Sequence, residues 1–282
     1  MEIARHGTGL RADVGALASQ IHPVFMLPPV AASAFGAVLS GRLDVTLLVL
    51  HLVAAFAALY TAHIKDGYVD FHGRGEDDDH PLTASGCRFA LAGSSVVFFS
   101  CLLTIGLLVD VWAALLTLPG WVIGYLHAPQ LDLNPFGATA GYPAGIAFAL
   151  LGGYYVQATT LTTAVVAFAV VFLLVLSGIK TIDDAKDYEY DRSIGKRTVA
   201  VVLGRRRARL FAYGLMAVGM VVVVALAVLG VFPPASVFAP VVFAVVAAFA
   251  WRAGENASLA TKLLIRGSYL FLAVLVAAVW LG

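Results

Sequence analysis

Carboxylates are scarce in this chain, and where they occur they are grouped. From Lys180 to Gly204 the sequence reads KTIDDAKDYEYDRSIGKRTVAVVLG, with Asp183, Asp184, Asp187, Glu189 and Asp191 falling within nine residues. A second group, Asp66, Asp70, Glu76, Asp77, Asp78 and Asp79, lies in KDGYVDFHGRGEDDDHP, from Lys65 to Pro81. Asp66 and Asp70 are four apart, as are Asp187 and Asp191; Asp183 stands four before Asp187, and Asp184 three before it. On a helix such spacing places carboxylates on one face, where like charges repel. The pattern therefore asks for a cation. Oxygen donors without His or Cys suit Mg²⁺, which takes one or two carboxylates and completes its shell with water and phosphate oxygens. The Asp66/Asp70 pair and the Asp183–Asp191 set are the candidate ligands, and the implied substrate carries phosphate. Lys65, Lys180, Lys186 and Arg192 flank them and offer the cationic donors that remaining phosphate oxygens need. Glu76–Asp79 is a consecutive run with no helical spacing, and it reads as a solvated loop.

These groups must be positioned by elements that are almost entirely apolar. The 282 residues are 61% hydrophobic and 12% charged, with a mean hydropathy of +0.91, against about 25% charge in soluble domains. That composition describes an integral membrane protein. A formal net charge of +1 provides no field that would draw in nucleic acid. A helical span needs about 20 mostly apolar residues, and nine are expected, near 17–39, 45–64, 88–109, 111–127, 139–158, 160–179, 210–230, 235–251 and 261–281. The first is interrupted by Pro23, Pro28 and Pro29 and should kink or start late. The fifth is rich in Gly and Ala, which suits close helix approach. The expected architecture is an all-α bundle forming a single domain over 1–282. Residues 1–14 form a short cytoplasmic segment with no cleavable signal peptide. Threading nine spans from a cytoplasmic N-terminus puts 17 of the 18 Lys and Arg on the inner side, leaving only Arg42 outside, as the positive-inside rule requires. Both acidic groups then follow even-numbered spans, the second and the sixth, and face the cytoplasm. Arg205, Arg206, Arg207 and Arg209 read as topology anchors. His22, His51, His63 and His127 read as packing or interfacial residues, and Cys87 and Cys101 as core cysteines rather than a disulfide or metal pair.

A metal-bearing polar rim on an apolar bundle suits a substrate with a diphosphate head and a hydrocarbon tail. The matching chemistry is ionisation of an allylic diphosphate. The leaving group is stabilised by Mg²⁺ and cationic side chains, and the allylic cation is shielded from water.

With these features in hand, the sequence resembles the UbiA superfamily of membrane prenyltransferases along nearly its whole length. Residues 184–209, DAKDYEYDRSIGKRTVAVVLGRRRAR, resemble that family's second aspartate motif, D-x-x-D-x-x-x-D followed by G-K-R-T and a V-x-L-G turn. The resemblance implies metal and diphosphate roles for Asp184, Asp187 and Asp191. The first motif departs from the family pattern: Asp66 stands where Asn is usual, Gly67 where the first Asp is usual, Asp70 matches, and Arg74 replaces the last acid. The first span carries His22-Pro23 where an Arg-Pro pair is usual. Gly124-Tyr125, Ala128-Pro129 and Gly152–Gln157 are similar to the 1,4-dihydroxy-2-naphthoate prenyltransferases of menaquinone synthesis. The combined expectation is an Mg²⁺-dependent transferase in the cell membrane, with Asp66, Asp70, Asp187 and Asp191 as catalytic residues. It would move a polyprenyl group from a polyprenyl diphosphate to a small aromatic acceptor. The alternatives are a non-quinone acceptor, such as an ether-lipid precursor or a carotenoid, and a membrane transporter. A transporter would place ionisable groups near mid-bilayer, whereas here they collect at one face.

Overall fold

The computed structural model describes residues 2–254 and 256–281, and these are helical over 81% of the chain with no strand; one isolated antiparallel bridge joins Ala4 to Leu82. In chain order the helices are α1 (Leu10–Ala18), α2 (Pro23–Leu39), α3 (Val45–Gly67, continued by a π-helical stretch over Tyr68–Arg74), α4 (Ala84–Leu108) and α5 (Val111–Leu126). They continue with α6 (Pro135–Ala158), α7 (Thr163–Asp184), the short α8 (Tyr188–Ser193) and α9 (Val199–Leu203), α10 (Arg205–Val228), α11 (Phe238–Arg252, entered by a 3₁₀ turn over Pro234–Val237) and α12 (Ala257–Leu281).

Seven of these helices are long and apolar enough to cross a membrane, and an eighth span results if α1 and α2, bent by 66° at their junction, act as one. That bend falls just before Pro23, the first of the prolines expected to kink this span. The nine expected spans are thus not all matched. The 24-residue α6 falls outside the apolar set because Gly, Pro and Tyr dilute its hydrophobicity. What those glycines provide is close approach. A Cβ on Gly153 would strike the Ser33 carbonyl, and one on Gly36 would strike the Leu150 carbonyl and lie 2.7 Å from the Tyr154 nitrogen. Backbones of α2 and the later half of α6 therefore touch without intervening side chains, as small residues allow in membrane bundles.

Helix starts are fixed by local side chains. Asp44 accepts from the Thr46 and Leu47 amides (2.8 and 3.1 Å), Thr83 from Gly86 (2.9 Å), Asp110 from Ala113 (2.8 Å) and Thr162 from Val165 (3.4 Å). Each such cap contributes about 1 kcal/mol. Leu107, Val228 and Leu281 are among the large apolar side chains left exposed, as expected of helices whose outer faces meet lipid rather than water.

The chain divides into two compact units. One holds the chain up to Leu131 with Phe148–Leu161; the other holds Asp132–Ala147 and the chain from Thr162 onward. In the first, Ala4 and Ala16 of the N-terminal segment pack with Ile64, Leu82, Cys87 and Ala90. In the second, Phe168 stacks on Phe232 with centroids 3.8 Å apart, and Phe271 lies edge-on to Phe243.

Candidate active site

The second acidic group lies in the second unit, and it is not one continuous helix. α7 stops at Asp184, a turn runs through Ala185 and Lys186, and α8 begins after Asp187. The break takes Asp183 out of the register of Asp187 and Asp191, which a helical backbone bond still joins four residues apart. The turn is held by amides of Lys186 and Asp187 donating to the Asp183 and Asp184 carbonyls (2.9 and 3.2 Å), and the Asp191 amide donates to the Asp187 carbonyl (2.8 Å).

The break buries two carboxylates. Asp184 is 4% exposed and Asp191 6%. Lys180, one turn before Asp184, forms an ion pair with its Oδ1 and lies 4.0 Å from Asp183. Lys186 bridges Asp183 (3.2 Å) and Asp187 (3.5 Å). Burial acts to lower the Lys186 pKa, but the charges of Asp183 and Asp187 outweigh it and hold the ammonium above its ordinary range. Asp184 Oδ2 is buried without a hydrogen-bond partner. The Asp191 carboxyl is pushed up to about 6, first by burial and then by the charge of Asp184, against the pull of Lys196 and Lys180. A buried orphan oxygen beside a carboxylate that resists ionisation is an anionic site short of positive charge. An Mg²⁺ ion, with its preference for carboxylate oxygens, fits that donor set. Asp187 is the accessible member, with a side chain 51% exposed and no capping bond of its own. Arg192 is exposed on α8.

The first acidic group lies in the first unit and is organised differently. Asp66 is in the last turn of α3, and Asp70 is in the π-helical continuation, whose wider turn shifts the pair away from an ordinary α-helical register. Arg74, which replaces the last acid of the family motif, lies 3.5 Å from Asp70 and 3.5 Å from Glu76. The Glu76 amide donates to the Asp70 carbonyl (2.7 Å), and its side chain is only 7% exposed. Glu76 is therefore part of a buried ion-pair cluster and not of a solvated run. Asp79 is bound by Arg5 (2.7 Å) and His6 (2.9 Å), and His6 is the main cause of its lowered pKa. Asp77 and Asp78 are exposed, as the solvated reading requires. The Lys65 ammonium rests 4.8 Å over the Tyr125 ring.

Two features escaped the sequence reading. Asp132, from a loop notable for its lack of basic residues, lies 3.9 Å from Lys196, whose amide in turn donates to the Asp191 carbonyl (2.9 Å). The signal was a lone acid in an otherwise apolar segment. The other is the histidine pair His22 and His63, whose Nδ1 atoms are 3.3 Å apart, a contact between residues 41 apart that no local spacing reveals.

Residues 26–275 match the UbiA prenyltransferase family. A 127-residue stretch is 26% identical to the 1,4-dihydroxy-2-naphthoate octaprenyltransferase of Bacillus subtilis (strain 168); it covers 44% of this chain and 40% of that protein, so the chain matches less than half of that relative's length. The fold is similar to a structure described as giving structural and mechanistic insights into the biosynthesis of digeranylgeranylglyceryl phosphate synthase in membranes, with a TM-score of 0.76 at 14% identity over 96% of this chain and 99% of the other. It is also similar to a UbiA homologue from Archaeoglobus fulgidus bound to DMAPP and Mg²⁺, with a TM-score of 0.67 at 15% identity over 94% and 98% of the two chains. An all-α membrane fold shared over almost the full length of these structures, and a family match over most of the chain, lead to one conclusion: this protein belongs to the UbiA prenyltransferase family of membrane enzymes.

Proposed function

We propose that this chain transfers a polyprenyl group from an allylic diphosphate to a small aromatic acceptor of quinone biosynthesis, with Mg²⁺ as cofactor. The observation that carries the reading is the buried, underneutralised pair Asp184 and Asp191, with the Asp184 Oδ2 lacking a partner. The homology to a naphthoate octaprenyltransferase supports the aromatic acceptor. The A. fulgidus homologue with DMAPP and Mg²⁺ supports the cofactor and the donor class.

In this reading Asp184, Asp187 and Asp191 would hold the cation in the second unit, and Asp66 and Asp70 are the proposed ligands of the first unit's own acidic group. Bound Mg²⁺ supplies positive charge that stabilises the departing diphosphate. Lys180, Lys186 and Arg192 are the proposed donors to the remaining diphosphate oxygens in the second unit, and Lys65 is the proposed donor of the first. The allylic C1–O bond breaks with its electron pair leaving on the diphosphate. Apolar helix faces exclude water from the allylic cation. An acceptor ring carbon then bonds to C1 and releases its proton. The distribution of Lys and Arg supports a cell-membrane protein with its site on the cytoplasmic side. Because the fold also resembles the structure described for digeranylgeranylglyceryl phosphate synthase, a glyceryl phosphate acceptor is the second reading.

The test is incubation of purified protein with Mg²⁺, a long allylic diphosphate and a panel of aromatic and glycerolipid acceptors, with products read by mass. A prenylated aromatic product is expected. A prenylated glycerolipid alone would establish the second reading. Substrate flux in proteoliposomes without any prenylated product would overturn both.

A further inference from the structure

Three ligands of a different kind converge in the first unit. His72, on the π-helical continuation of α3, His80, in the loop that follows, and Cys87, in the first turn of α4, each offer one ligand atom, and the three atoms lie within 4.8 Å of one another. Cys87 Sγ is 4.0 Å from His80 Nδ1, and the two imidazole centroids are 5.9 Å apart. The Cys87 thiol is buried and free, and His80 is 5% exposed.

Local hydrogen bonding explains only part of this cluster. His72 Nε2 and His80 Nδ1 both approach the Leu82 carbonyl oxygen (3.1 and 3.2 Å), and the Leu82 amide lies 3.2 Å from His80 Nδ1. The other nitrogen of His80, Nε2, is buried with no hydrogen-bond partner and lies against Gly67, where a Cβ would strike it. The ring meets Cys87 Sγ through Nδ1, the nitrogen that also receives the Leu82 amide, so metal ligation there would replace that contact. Two imidazoles and a thiolate form a donor set for zinc, which binds Cys sulfur at about 2.3 Å and His nitrogen at about 2.0–2.1 Å in a tetrahedron. The edges of such a tetrahedron are roughly 3.3–3.7 Å, so the ligand atoms need to close by about an ångström on binding. Mg²⁺ prefers hard oxygen donors and does not compete for this set.

We propose that His72, His80 and Cys87 form a Zn²⁺ site, separate from the carboxylate groups. It ties the loop after Arg74 to the end of α3 and the start of α4. On binding, Cys87 gives its thiol proton to solvent, both imidazoles ligate in the neutral form, and water takes the fourth position. The loop is already fastened from the N-terminal side by the Ala4–Leu82 bridge and the Arg5–Asp79 ion pair. Zinc would add a clamp on its inner side, just after the turn that carries Asp70.

Full-length protein is purified in detergent, loaded with ZnCl₂, dialysed into buffer containing Mg²⁺, and analysed for metals by plasma mass spectrometry. One zinc per chain is expected in the wild type and in Asp187→Ala, and roughly tenfold less or lower in Cys87→Ser and His80→Gln. In the wild type, Co²⁺ should give a near-ultraviolet thiolate-to-cobalt charge-transfer band that excess Zn²⁺ abolishes. That measurement stands even if the variants fail to fold. Wild-type zinc far below one per chain after loading, zinc unchanged in folded Cys87→Ser, or a cobalt spectrum without the thiolate band would each overturn the site. The metal content does not depend on prenyl transfer, so failure here leaves the proposed activity untouched, and the converse holds as well.

Discussion

The two acidic groups of this chain use opposite arrangements of the same residues. In the second unit, Lys180 and Lys186 only partly neutralise a group that keeps two carboxylates buried, with one oxygen unpartnered. In the first unit, Arg74 lies between Asp70 and Glu76, and Asp79 is bound by Arg5 and His6. One group is left short of positive charge, while the other is largely supplied from within the protein. Similar acidic composition therefore leaves a buried carboxylate oxygen unpartnered in one place and pairs Asp70 and Glu76 with an arginine in the other.

The largest effect that would sharpen this contrast is expected from Asp187→Ala. The side chain is half-exposed and caps nothing, so the melting temperature should stay near wild type, while Mg²⁺-dependent turnover falls by about 100-fold or more, on the scale of losing a preorganised electrostatic contact. Near-normal turnover in a kinetic assay would remove Asp187 from the site. Asp70→Ala should also abolish most turnover, but with a second signature. It removes one of Arg74's ion-pair partners, so thermal denaturation should show a loss of about 1 kcal/mol, which Asp187→Ala lacks. Equal stabilities for the two variants would erase the proposed difference between the units.

A smaller effect should appear with pH. The folded pKa of Asp191 is raised from 3.8 to about 6, so the folded state holds this proton more tightly than the unfolded state does. Metal-free protein should therefore lose stability as pH rises from 3.8 through about 6. Added Mg²⁺ should flatten that loss, and its apparent affinity should weaken as pH falls below about 6. Melting curves across this range, with and without Mg²⁺, test both signs; a stability that rises through the window would contradict the placement of Asp191. The smallest effect is expected from Asp77→Ser with Asp78→Ser, which should leave turnover within about twofold of wild type, as exposed substitutions usually do. Glu76→Ser, by contrast, should reduce stability, because it strips Arg74 of a buried partner. If the double variant is the damaging one in the turnover assay, the exposed run is part of the site.

Much of the fold was legible because lipid leaves little choice. A chain with so few charges must satisfy its backbone within helices, and the runs from 45, 88, 111, 210, 235 and 261 onward became α3, α4, α5, α10, α11 and α12 with ends shifted by a few residues. α6 was visible as a long Gly-rich and Ala-rich segment, and its reason, backbone contact at Gly36 and Gly153, became visible only in three dimensions. Within the candidate site, the residue types and the DxxDxxxD spacing in 184–191 were plain. Asp187 and Asp191 keep helical spacing, but Asp183 and Asp184 do not share it, because periodicity assumes an unbroken helix and α7 ends at Asp184.

A helical membrane protein and the two positions where acids gather are already set by composition and order. These follow from composition and short spacing, which any local conformation must respect. Only the tertiary structure decided which carboxylates are buried, that Asp184 keeps an oxygen without a partner, that Arg74 and Glu76 close on Asp70, and that His72, His80 and Cys87 converge. Burial and pairing depend on what the rest of the chain brings to a residue. For Lys196 that partner is Asp132, and for Asp79 it is Arg5, far removed in sequence. Local spacing shows neither of these pairings, because each joins residues that only the folded chain brings together.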